Sequence, residues 1–232
     1  MLFRYSFIYN KIDYNGYVNI KQLYTMDSSD KKGTIIRDCE VEINKILENW
    51  NLAHSSGYDG GKMRELRGSS IETFVMNTIN NIGKLYNVDF IAICGDNDKK
   101  DLVINLPDGK QLHKNHQVDI HIYRNKQFIA VIECKAYLDS CYYERACSDF
   151  AYFKKFGYNI RKYIFTFENS ISYETKTFID HMNERICDDV FCIFDGKRTS
   201  GKPIYDIKHK KTINITKLTE YIDDMISLCL DS

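Results

Sequence analysis

Over residues 35–50, Ile36, Cys39, Ile43, Ile46, Leu47 and Trp50 recur at steps of three and four, the spacing of one helical face. A second stripe of Ile71, Phe74, Val75, Thr78, Ile79, Ile82 and Leu85 predicts a helix beginning at Ser69, where Ser69 and Glu72 have capping-box spacing. Between the two, HSSGYDGGKMRELRG has four glycines and no apolar period, which predicts a loop. The pattern then changes to short apolar runs. VDFIAIC (88–94), DLVINL (101–106), QVDIHIY (117–123) and QFIAVIECK (127–135) predict four strands, the last two joined by a tight turn at 124–125. Residues 137–156 have helical spacing, 159–167 predict a strand, 172–187 a helix and 188–195 a buried strand. Leu218, Tyr221, Ile222, Met225, Leu228 and Cys229 form the stripe of a closing helix. The first ten residues, MLFRYSFIYN, lack the basic segment, sustained apolar run and cleavage site of a signal peptide and predict a strand.

From residue 69 onward this order predicts an α/β fold, a mixed central β-sheet flanked by helices. No repeat or linker divides the chain, so one domain is expected over 1–232: N-terminal strands, a helix and the glycine-rich loop in 1–68, a core in 69–195, and a basic loop with the closing helix in 196–232. A 44% hydrophobic content with only two prolines supports a buried core, and no run approaches the roughly 18 apolar residues of a spanning helix. Eight cysteines without a C-x-x-C pair fall mostly in apolar stretches, so free thiols in a reducing, cytoplasmic setting are expected.

Thirty-two Lys and Arg against 32 Asp and Glu exclude a protein that coats nucleic acid through net charge alone. The charge is nevertheless polarised. Residues 196–211 hold six Lys and Arg against one Asp, whereas 168–189 hold six Asp and Glu against two Lys and Arg. Lys197, Arg198 and Lys202 in that basic loop suit phosphates, and Lys62, Arg64 and Arg67 are long enough to reach guanine edges. A solvated charged surface is the alternative for both segments.

The chemistry concentrates at the end of QFIAVIECK. Alternation puts Ile129, Val131, Glu133 and Lys135 on one face and Ala130, Ile132 and Cys134 on the other, so a carboxylate and an ammonium project from an otherwise apolar strand. Burying both costs several kcal/mol unless they are paired or bind something. A hairpin about 124–125 brings Asp119 near Glu133. Two adjacent carboxylates repel unless a cation intervenes, and magnesium favours carboxylate and water ligands. Such an ion activates water, and an adjacent lysine positions it: a set of groups for phosphodiester hydrolysis.

Asp119 followed by Glu133-Cys134-Lys135 resembles the PD-(D/E)xK nuclease superfamily, which includes most type II restriction endonucleases; Val118 stands where the motif's name has proline. The order of elements from the helix at 69–86 to the strand at 160–167 is similar too, a restriction-endonuclease-like core of αβββαβ order. The resemblance implies that Asp119, Glu133 and the Cys134 carbonyl bind Mg2+, that Lys135 positions the attacking water, and that Glu72 is the helix glutamate. It implies a homodimeric, site-specific deoxyribonuclease acting on double-stranded DNA, with a cognate methyltransferase that shares the site without binding the enzyme. A repair or junction nuclease of the same fold and a non-catalytic DNA-binding module are the alternatives.

The residues admit other readings. A surface-edge ion pair is the weaker alternative for Asp119, Glu133 and Lys135, because of the flanking apolar alternation, and the capping box explains Glu72 without chemistry. His113, His116 and His121 suggest zinc, but HKNH reads as a polar loop and the carboxylates suit magnesium better. GYDGGKM lacks the spacing of a phosphate-binding loop, and neither Cys134 nor Cys141 has a paired histidine.

Overall fold

A computed structural model describes residues 27–231; the strand predicted over 1–10 lies outside them. Helix α1 (Ser28–Ser55) begins on the Asp27 side chain, which accepts from the Asp30 N–H, and it buries Ile35, Cys39, Ile43, Ile46, Leu47 and Trp50, with Ile36 only partly covered.

Helix α2 (Gly60–Tyr86) starts nine residues earlier than the sequence pattern predicts. Its N-cap is Asp59, which accepts from the Lys62 N–H, so HSSGYDGGKMRELRG is helical over most of its length. The apolar stripe extends back through Met63 and half-buried Leu66, and Gly60 and Gly61 occupy the first turn. Ser69 is therefore mid-helix. Its hydroxyl donates to the Leu66 carbonyl, and the predicted capping box with Glu72 does not form.

Five strands, rather than four, precede the next helix: β1 (Phe90–Cys94), β2 (Lys100–Asn105), β3 (Gln111–His116), β4 (Ile120–Arg124) and β5 (Gln127–Leu138). Then come α3 (Ser140–Lys155), β6 (Arg161–Asn169), α4 (Tyr173–Met182), β7 (Asp189–Cys192) and α5 (Ile215–Leu230). The central sheet has the order β1-β4-β5-β6-β7, antiparallel from β1 to β5 and parallel from β5 to β7. The chain is thus α/β with a mixed sheet. β2 and β3 pair only with each other, as a ribbon inserted between β1 and β4.

The β4–β5 turn falls on Asn125 and Lys126, one residue later than predicted; both take positive φ, as a two-residue hairpin turn requires. Register slips beside it, where Ile122 pairs with Ala130 but Tyr123 with Phe128. The extra residue, Ile129, consequently packs with Ala130 and Ile132 and not with Val131, a correction to strict alternation. Beyond the bulge the alternation holds. Ala130, Ile132 and Cys134 join α1, α2 and α5 in one core, while Val131 joins α3 and α4 in another, so helices cover both faces of the sheet.

Candidate active site

Asp119 immediately precedes β4, and Glu133 and Lys135 lie near the end of β5, its antiparallel neighbour. The Asp119 carboxylate accepts from the Cys134 backbone N–H at 2.7 Å and from Lys135 Nζ at 3.2 Å. Lys135 Nζ also donates to Glu133 Oε1 at 2.5 Å and to the Cys134 carbonyl at 3.0 Å. One ammonium is thus ringed by three oxygens, from Asp119, Glu133 and Cys134. The Asp119, Glu133 and Lys135 side chains are 26%, 8% and 20% exposed, so this is no surface ion pair.

Burial pushes the Glu133 carboxyl up to about 7, and Asp119 adds to the rise by repulsion; together these outweigh the attraction of Lys135. Lys135 is held above the ordinary lysine range despite its own burial, because Glu133 and Asp119 favour its charged form. Glu72, on α2, feels the charges of this group but makes no hydrogen bond or ion pair with it. Its carboxyl is raised first by burial and next by the Asp119 charge, with Lys135 acting the other way.

Local backbone fixes the position of Asp119. Its carbonyl accepts from the Gly95 N–H at 2.9 Å, and Gln117 Nε2 donates to Asp96 across the same stem at 2.6 Å. Behind it, fully buried His121 bonds Asp98 through Nδ1 at 2.9 Å, and its Nε2 lies 3.4 Å from the Val118 N–H. Burial would raise the Asp98 carboxyl, but hydrogen bonds from Tyr123, Lys100 and His121 hold it below its ordinary value. Gly95, Asp96 and Asp98 were not legible as site residues, since nothing in GDND marks where β1 ends relative to Asp119.

The three histidines, set aside as a zinc site in the sequence, do not gather on one point. His113 bonds Asp101, His116 bonds the Asp149 carbonyl and His121 bonds Asp98, each its own partner, and HKNH lies in β3 and not in a loop. Among the described residues no group of three or more His, Cys, Asp or Glu side chains is placed to hold a metal ion. Two carboxylates and a carbonyl, all oxygen donors, form the kind of set that magnesium completes with water. The convergence of three oxygens on one positive charge makes these residues fit such an ion.

A cavity of about 330 Å3 opens past Lys135 on the β6 side of β5, with Arg67, Tyr137, Glu168, Arg198 and Lys202 in its lining. The Arg198 guanidinium lies 3.5 Å from the Tyr137 ring centre, and Lys211 holds Glu168 at 2.6 Å while also bonding the Lys197 carbonyl. Three of the predicted DNA-contacting residues therefore meet around one opening. Lys62 and Arg64 are exposed in the first turns of α2, not in a loop, and Lys197 is an exposed neighbour of the cavity.

All eight cysteines are unbridged, and no helix among the described residues is long and apolar enough to cross a membrane. No family model matches the chain, and no curated protein does. Among solved structures, the native BbvCI A2B2 tetramer aligns over 83% of this chain and 88% of that one at 9% identity and a TM-score of 0.35, too loose a superposition to define a common fold.

Proposed function

We propose that the chain is a magnesium-dependent type II restriction endonuclease of the PD-(D/E)xK kind, hydrolysing phosphodiester bonds of double-stranded DNA at a specific short sequence. One observation carries this reading: Asp119, Glu133 and the Cys134 carbonyl surround a single positive charge at the end of a buried strand. Those three groups would hold Mg2+, which when bound supplies charge neutralisation and a more acidic water. Lys135, on its flexible stem, orients the attacking water. Glu72, the helix glutamate on α2, adds negative charge beside this centre without joining its ligands. Arg67, Arg198 and Lys202 hold the phosphate backbone beside the reacting bond, and Lys62, Arg64 and Lys197 extend the basic surface. A two-fold homodimer places one such centre on each strand of a palindrome.

Incubation of the purified protein with a long viral DNA and Mg2+ tests this. Discrete fragments are expected. A smear would instead indicate a repair or degradative nuclease, and no cleavage in Mg2+ or Mn2+ overturns the proposal. Glu133→Ala and Lys135→Ala separate an enzyme from a DNA-binding module: the enzyme loses turnover and largely keeps DNA binding, whereas a pure binder has no turnover to lose.

A further inference from the structure

The β2–β3 hairpin is a ribbon of its own, and its two faces differ in kind. Lys100, Leu102, Ile104, Leu112, Lys114 and His116 lie on one face, which is held to the body of the protein at its base and exposes Ile104 and Leu112 toward the tip. Leu102 is buried, Lys114 Nζ sits 3.6 Å from the Tyr152 ring centre, and His116 packs on Phe153 and bonds the Asp149 carbonyl of α3 at 2.9 Å. The opposite face carries Asp101, Val103, Asn105, Gln111, His113 and Asn115, and all but Val103 are exposed. The ribbon springs from the Gly95–Asp98 and Gln117–Asp119 stem, so its position is tied to that of Asp119.

The chemistry of the outward face is specific. Gln111 Nε2 donates to Asn105 Oδ1 at 3.0 Å, which leaves the Asn105 amide nitrogen as a donor and the Gln111 carbonyl oxygen as an acceptor. Asp101 orients His113 through a 2.8 Å bond, and Asn115 adds a third amide. Adenine offers an acceptor (N7) and a donor (N6–H) in the major groove, the complement of a carboxamide. Two strands about 5 Å apart, with their side chains, match a groove about 12 Å wide. Residues 99–117 carry four Lys against two Asp, which favours the phosphates that line the groove.

We infer that this face of the ribbon enters the major groove of duplex DNA next to the cleaved bond and reads adenine through Asn105, Gln111 and Asn115. The inference takes its partner, duplex DNA, from the nuclease reading. Selection of bound sequences from a randomised duplex pool tests it, with Ca2+ replacing Mg2+ and three full-length proteins: wild type, the triple variant Asn105→Ala/Gln111→Ala/Asn115→Ala, and Arg67→Ala. Wild type is expected to enrich a motif containing adenine. In the triple variant that preference falls roughly tenfold or more at each adenine read, while its thermal midpoint stays near that of wild type. Arg67→Ala keeps the motif and binds every sequence more weakly. A triple variant that enriches the wild-type motif, a wild-type motif without adenine, or a wild type that binds no duplex each overturns the inference. Should the triple variant not fold, Asn115→Ser alone carries the same comparison. Loss of the motif in the triple variant without any wild-type cleavage in Mg2+ removes the nuclease reading but leaves the ribbon as a reader; cleavage with an unchanged motif does the reverse.

Discussion

Gly95 donates its N–H to the Asp119 carbonyl at 2.9 Å, and a β-carbon on Gly95 would lie 1.8 Å from the Val118 carbonyl oxygen. That clash is with backbone, so no rotamer relieves it and residues 118–119 must move. Gly95→Ala is expected to cost about 1–3 kcal/mol of stability and to lower DNA cleavage by more than tenfold, since displacement of about 1 Å can cost on the order of a hundredfold. Gly83→Ala is the comparison. Its β-carbon would lie 2.3 Å from the Phe90 carbonyl oxygen, so it should destabilise similarly while cleavage by the folded fraction is retained. Thermal unfolding and cleavage rates of the two variants check this; full activity in Gly95→Ala would show that Asp119 does not depend on that contact.

Lys135 compensates two carboxylates that would otherwise face each other in a largely buried site. Lys135→Ala should abolish cleavage and destabilise the fold by about 3 kcal/mol, the scale of breaking a buried pair. Millimolar Mg2+ should then raise the thermal midpoint of the variant more than that of wild type, because the ion takes over the charge the lysine supplied. A variant whose melting is indifferent to Mg2+ would mean that the carboxylates do not form a cation site.

Burial lowers both His116 and His121 below the ordinary histidine value, although the Asp149 carbonyl and Asp98 respectively act the other way. Below about pH 6.5 the unfolded chain therefore binds protons that the folded chain refuses. Their contribution to stability is full above that pH and declines as pH falls through the lower folded values, by at most about 1.4 kcal/mol per pH unit for each histidine. Glu133, raised in the fold, has the opposite sign in this range, so the histidine effect is read as a difference. Midpoints measured from pH 7.5 to 5 should fall more steeply in wild type than in His116→Gln; parallel curves would refute the assignment.

Periodicity revealed the helical stripes of α1, α2 and α5 and the strand that carries Glu133 and Lys135, because each has one face dominated by core side chains. It missed β3, whose QLHKNH has a single strongly apolar residue and whose only sequence cue was the Asp108-Gly109 turn. The start of α2 was hidden for a related reason: Gly60 and Gly61 look like loop residues, yet the Asp59 cap makes them a first turn. The hairpin made Asp119 and Glu133 legible as residues of adjacent strands, but their register depends on the turn at Asn125 and Lys126 and on the extra residue Ile129, which the pattern did not show. The grouping of Arg67 with Arg198 and Lys202 was not, since α2 and the loop after β7 meet only through tertiary packing.

That grouping yields a measurement of its own. Arg198 sits over the ring of Tyr137, two residues beyond Lys135 along β5, and shares its cavity with Arg67 and Lys202. A phosphate bound there releases counterions, so log Kd depends on log salt with a slope of roughly 0.9 per contact. Arg198→Ala should weaken binding of every duplex alike and reduce that slope by about one contact. Arg198→Lys keeps the charge but replaces the guanidinium over Tyr137 with an ammonium, so it should restore the slope and only part of the affinity. Lys62→Ala, in the exposed first turn of α2, reports whether the basic surface extends beyond the cavity. Titrations between 50 and 200 mM salt measure all three; a slope unchanged by Arg198→Ala would exclude the cavity from the DNA path and leave Arg198 as a packing residue on Tyr137.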